Sequence, residues 1–178
     1  MNALAFPLSN RLLVLSAPHA AVPMMLELAA RLALSGELRV LDAGNRFNVY
    51  PVACAIRRHT AELTAALARI RLARAFTCYQ AAAMLADMPA EPRPLLVIDL
   101  LSTFYDESVN LAESRRLLVS CVERLRRLSQ NAPVVVSAKP PARADRAALL
   151  ETLQLAGSAW QLEPLPAPRA PGLWDREG

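Results

Sequence analysis

Four carboxylates stand where this chain could do chemistry: Asp42 closes the run Leu38-Arg39-Val40-Leu41, Asp99 closes Leu95-Leu96-Val97-Ile98, and Asp106 and Glu107 follow a few residues later. If two or three of them converged, with oxygens about 4–5 Å apart, they would hold Mg²⁺ and support phosphodiester chemistry. The bland alternative is that they accept hydrogen bonds from neighbouring turns, since no base or nucleophile accompanies them. His19, one of two histidines, suits a general acid or phosphate ligand near neutral pH, or simply a capping or solvent-facing residue. His59, in Arg57-Arg58-His59-Thr60, reads as the end of one helix and the N-cap of the next. Asn45, Arg46, Gln80 and Lys139 complete a polar set at predicted strand ends, where parallel sheets bind ligands.

The elements that must position these residues are legible from apolar runs and their period. Short runs over 11–17, 38–42, 71–77, 95–101 and 133–137 read as buried strands, and 159–162 as an added edge strand. Helical patterning covers 23–34, ended by Ser35-Gly36, then 49–59, 60–70, 78–86, 111–128 and 144–155. Pro89, Pro92 and Pro94 break the chain before the Asp99 strand. Repeated alternation of strand and helix predicts an α/β fold, a mostly parallel sheet covered on both faces. One domain over 1–163 and a proline-rich flexible tail over 164–178, including Trp174, complete the organisation.

Composition narrows the class. The 178 residues are 54 % hydrophobic and 20 % charged, which excludes disorder for most of the chain. No apolar run approaches a membrane span, and the first residues lack a secretory pattern, so a cytoplasmic location is expected. Cys54, Cys78 and Cys121 are too scattered for a disulfide framework or a zinc site. The net charge is +4, and Lys139 is the single lysine among 20 basic residues. Arginine binds phosphate bidentately, although the many alanines and prolines suggest a compositional bias as its cause. Arg57, Arg58, Arg69, Arg71 and Arg74 form one candidate basic patch. Arg115, Arg116, Arg124, Arg126 and Arg127, on one helix, form a second that could meet nucleic acid or an acidic partner; without interleaved aromatics it also reads as a solvated face.

Three segments in order carry a family resemblance. Val40-Leu41-Asp42-Ala43-Gly44-Asn45-Arg46-Phe47 resembles the strand and turn that hold the catalytic glutamate in the RecA-like recombinase superfamily, in its archaeal and eukaryotic RadA-type branch. Ala73-Arg74-Ala75-Phe76-Thr77-Cys78-Tyr79-Gln80 is similar to the next strand-to-helix junction. Leu95 to Asp99, with Ser102, resembles the Walker B strand, and Val134 to Lys139 falls at the following core strand. The likeness covers about residues 10–140 and implies a RecA-like three-layer core.

The departures matter more than the match. ATP-hydrolysing members need a glycine-rich phosphate loop with its lysine and hydroxyl. Here the first glycine is Gly36, and Ser16 to Met25 offers Pro18 and Pro23 instead. Ala43, Gly44 and Asn45 leave no counterpart to the catalytic glutamate. The two connections that hold DNA in filament-forming members correspond to Thr103–Asn110, which is acidic, and Lys139–Ala144. The expectation is therefore a degenerate ATPase acting as a non-catalytic accessory or regulatory partner in DNA repair or recombination. Its partner would be a protein, a recombinase-like ATPase or repair factor, with no membrane, no cofactor, and oligomerisation open. The rivals are a metal-dependent phosphodiesterase or nuclease using Mg²⁺ at Asp42, Asp99, Asp106 and Glu107, a DNA-binding protein without catalysis, and a nucleotide sensor.

Overall fold

The apolar runs pair side by side because a strand buried on both faces can satisfy its backbone only with neighbouring strands. The computed structural model describes residues 12–162. The expected tail over 164–178, with Trp174, and the strand's first residue, Arg11, lie outside them. Strands β1 (Leu12–Ser16), β2 (Leu38–Asp42), β3 (Ile70–Arg74), β4 (Leu95–Ile98), β5 (Val134–Ala138) and β6 (Ser158–Gln161) form one sheet of order β3-β2-β4-β5-β1-β6. Every pairing is parallel. The six helices among the described residues are α1 (Val22–Ser35), α2 (Val49–Arg57), α3 (Leu63–Ala68), α4 (Cys78–Asp87), α5 (Leu111–Leu128) and α6 (Ala147–Gln154). The fold is thus α/β with an all-parallel sheet between helical layers.

Strand order dictates which helix covers which face. The chain runs from β1 toward the β3 edge, then turns back toward β6, and right-handed crossovers send these two courses to opposite faces. Accordingly α1, α2 and α3 pack with Leu15, Val40, Leu96, Ile98 and Val135. Helices α4, α5 and α6 pack with Val14, Leu41, Val97, Val134 and Val136 on the other side. Alternate residues of one strand serve the two cores, as the pleat requires.

Local chemistry explains most departures from the expected boundaries. The Asp99 strand stops at Ile98 because Asp99 adopts a left-handed backbone (φ 52°), after which Leu100–Ser102 form a single 3-10 turn. The third strand ends at Arg74 because Thr77 caps α4: its hydroxyl accepts the Gln80 N–H at 3.1 Å, while Gln80 Oε1 accepts the Phe76 N–H at 2.8 Å. The pair is a variant of the capping box in which Gln80 reaches one residue beyond the N-cap, so Gln80, expected at the functional edge, closes a helix end. The N-cap of α3 is Glu62 rather than His59. Thr60 hands over to it by accepting the Glu62 N–H at 3.1 Å.

The arginines have a structural pattern that composition concealed. Helices α1, α4 and α6 carry no basic residue in their last turns. Each receives one from elsewhere. Arg69 donates to Ala33 O and Leu34 O at 3.0 Å each, Arg124 to Leu85 O and Met88 O, and Arg126 to Ala156 O at 2.8 Å and Leu155 O at 2.9 Å. A guanidinium there satisfies carbonyls that lack helical partners and complements the negative end of the helix dipole. The basic set on α5 is thereby broken up. Arg124 and Arg126 are engaged and Arg116 pairs with Glu113 at 2.7 Å, which leaves Arg115 and Arg127 on the exposed side.

Candidate functional site

At the carboxyl end of the sheet β2 and β4 are neighbours whose following connections leave for opposite faces, the place where such sheets open a crevice. Asp42 and Asp99 both lie there, fully buried. Asp42 is wholly engaged: its Oδ1 accepts the Arg46 N–H and its Oδ2 the Phe47 N–H, both at 2.9 Å, and Arg74 Nε lies 3.4 Å from Oδ2. Those bonds close the turn 42–47, in which Asn45 has φ 53°.

Asp99 differs in that neither carboxylate oxygen has a hydrogen-bond partner among the described residues. Arg46 Nε stands 3.6 Å from Oδ2, and the Ser137 hydroxyl accepts the Asp99 N–H at 3.1 Å. Gly44 is packed on the Asp99 side chain so closely that a Cβ there would fall 2.6 Å from Asp99 Cβ. Burial pushes the Asp99 carboxyl above the ordinary carboxylate range, against the opposing charges of Lys139 and Arg46. Burial, and then Asp99, also push the Tyr105 phenol up, and this hydroxyl donates to Lys139 O at 3.0 Å.

A carboxyl whose folded value is raised binds its proton more readily in the fold than in the unfolded chain. Its penalty is absent at low pH, grows as pH rises from about 3.8 through the folded value, and is complete only above that value. Asp99→Asn keeps the shape and suits the left-handed backbone. It is expected to raise stability at pH 7 by about 1 kcal/mol, with the advantage shrinking toward pH 4. Urea unfolding of both proteins across that range checks this; an advantage that does not change with pH would refute it.

The other two carboxylates are elsewhere engaged. The Ser108 backbone N–H, donating at 2.9 Å, holds the Asp106 carboxyl below the ordinary range, and Glu107 pairs with Arg143 at 3.2 Å. Among the described residues no group of three or more His, Cys, Asp or Glu side chains is arranged to hold a metal. Asp42, Asp99, Asp106 and Glu107, the carboxylates of the metal-dependent alternative, therefore do not come together as a set of three or more ligands. Cys78 and Cys121 are buried, and burial pushes the Cys121 thiol up to about 12, so it is an inert core residue.

The two connections beyond β4 and β5 are joined to each other. Arg146, 6 % exposed, donates to Phe104 O, Val109 O, Asp106 O and the Ser114 hydroxyl, and Tyr105 and Arg143 bridge the same gap. No motif or charge run in the sequence marks Arg146. Its one signal is position, because it falls in register with Leu149 and Leu153 on the core-facing stripe of the last helix.

The first strand-to-helix turn is closed on itself. Ala17 N–H donates to Ala138 O, Ala20 N–H to Ala17 O and Val22 N–H to His19 O, while Pro18 and Pro23 have no N–H to offer. Ala20 and Ala21 hold φ 51° and 48° and are buried. Beside this turn lies a groove of about 1290 Å³, bordered by α1, the turn 45–51 and β3, with His19, Arg46, Arg74 and Lys139 among its lining residues. It assembles three members of the expected polar edge, Asn45, Arg46 and Lys139, and leaves Gln80 outside.

The molecule is an all-parallel α/β protein with a partly polar groove at its carboxyl edge. The chain matches no protein-family model and no curated protein sequence.

Proposed function

We propose that this protein is a RecA-like domain without a working ATPase site. On this reading it acts as an accessory or regulatory partner in DNA repair or recombination through protein contacts. The observation that carries this reading is the closed first turn. Phosphate binding at that position requires backbone N–H groups pointing outward and room for close approach. Here three of the turn's donors, the N–H groups of Ala17, Ala20 and Val22, are engaged with its own carbonyls and with β5, and two prolines remove others. The resemblance adds the missing glutamate, since the corresponding turn is built from Ala43, Gly44 and Asn45 and folded around Asp42. The two connections to which the resemblance assigns DNA are bound to one another through Arg146 and Tyr105, an arrangement that suits a fixed surface better than mobile DNA-holding loops.

Incubation with Mg²⁺ and ATP is the direct test. The expected result is background turnover and an unchanged melting temperature, while a recombinase-class ATPase from the same genome is retained on the immobilised protein and its ATP turnover changes on mixing. Turnover by the isolated chain that disappears in Asp99→Asn would establish an enzyme and end the accessory reading.

A further inference from the structure

We propose that the carboxyl-edge groove is the docking site for an acidic polypeptide segment of a partner that inserts aliphatic or aromatic side chains. This deepens the accessory reading and rests on it. The groove's floor is apolar: Val22, Leu26, Leu67, Ile70 and Leu72 approach it from α1, α3 and β3. Two apolar side chains on it are left substantially in water, Val49 at 54 % and Leu72 at 40 % exposure. Along the strand-end rim stand His19, Arg46, Arg74 and Lys139, and among the described residues no Asp or Glu lines the groove. Arg46 and Arg74 lean on carboxylates that are fully buried beneath them, yet their own side chains remain 50 % and 42 % exposed. The surface an occupant meets is thus apolar below and positive along one side.

Those features select a polypeptide over other ligands. Small-molecule sites are enclosed and of about 300–1,000 Å³, whereas this groove is open and about 1290 Å³. Single-stranded nucleic acid needs exposed aromatic faces on which bases stack. Of Phe, Tyr and Trp among the described residues only Phe47 lines the groove, and it is 9 % exposed and packed into the core; the exposed His19 offers a single small ring, not a row of faces for successive bases. An acidic segment with alternating apolar residues satisfies both halves of the surface, and charge complementarity sets its orientation.

The test uses the full chain and short fluorescent peptides in which Leu and Phe are spaced among Asp and Glu. Two matched sets accompany them, one with Lys for every acid and one with Ser for every apolar residue. Anisotropy is expected to show binding of the acidic apolar set, weaker by about tenfold or more in either matched set. Val49→Glu places an acid in the first turn of α2, which has none, where the helix dipole favours it, so the fold is retained. It is expected to weaken peptide binding by about tenfold, as is Leu72→Glu, while Val119→Glu on the opposite face leaves binding unchanged. The inference is overturned if no acidic apolar peptide binds, if the lysine set binds equally, or if Val49→Glu has no effect. It is equally overturned if oligothymidylate binds the groove instead, losing affinity in Val49→Glu. Retention of a recombinase-class ATPase that survives Val49→Glu would remove the groove from the accessory reading while leaving that reading intact.

Discussion

Arg146→Ala is expected to destabilise the fold by about 3 kcal/mol or more, lowering the melting temperature by roughly 6–12 °C. The guanidinium is buried and makes four hydrogen bonds to groups that share no sequence neighbourhood with it: Val109 O at 2.8 Å, the Ser114 hydroxyl at 3.2 Å, Phe104 O at 3.3 Å and Asp106 O at 3.4 Å. Alanine removes all four donors and leaves a cavity beneath Phe104, so hydrogen-bond and packing losses add. The remaining variants separate the two. Arg146→Met restores the aliphatic stem and should recover only the packing part. Arg146→Lys restores charge, but a compact ammonium cannot span acceptors spread along residues 104–114, so it should recover less than half. Thermal unfolding of the three variants checks this. A methionine variant as stable as the native chain would show that the hydrogen bonds contribute nothing net.

Asp42→Asn is expected to cost about 2–4 kcal/mol, although it changes a single atom. The carboxylate accepts two backbone N–H groups and faces Arg74, so all its neighbours are donors. An amide supplies one acceptor and turns two N–H groups toward a remaining donor, leaving a buried clash of like partners. The turn 42–47 would then loosen, and with it the placement of Arg46 and Phe47 beside the groove. Urea unfolding gives the size of the loss. A double-mutant cycle with Arg74→Ala should show coupling smaller than the total, because backbone donors account for most of it. A loss below about 0.5 kcal/mol would mean that the turn holds its shape without the carboxylate.

The contrast between Asp42 and Asp99 illustrates what a strand-end aspartate can mean. Read in sequence, both close an apolar run and look alike. In the fold, one is enclosed by donors and organises a turn; the carboxylate of the other is buried without a hydrogen bond among the described residues, held in a left-handed backbone against Gly44. The difference arises from what crosses over them, which no local pattern encodes. Arginines show the same limit. Arg69, Arg124 and Arg126 cap helix ends through carbonyls 29 to 39 residues away in sequence, so a compositional excess is in part a set of specific contacts.

The sequence by itself determined the elements and their class. Apolar runs of strand length alternating with helical periodicity left a mostly parallel sheet between two helical layers as the natural solution, because each run must bury two faces and each helix one stripe. The helix starts at Thr77 and Asn110 are closed by bonds spanning three residues, local chemistry of the kind a sequence can carry, although the sequence alone places Gln80 at the functional edge instead. The edge strands were less plain: Ile70–Arg74 and Ser158–Gln161 are largely exposed, since an edge is paired on one side only. What only the tertiary structure decided was the use of the charges. Crossovers brought Asp42, Arg46, Asp99 and Lys139 to one edge, sent Asp106 and Glu107 to other partners, and gathered apolar residues from α1, α3 and β3 into a groove. Burial and electrostatics act through space, so identical residue types acquired opposite roles according to which distant segments the topology set beside them.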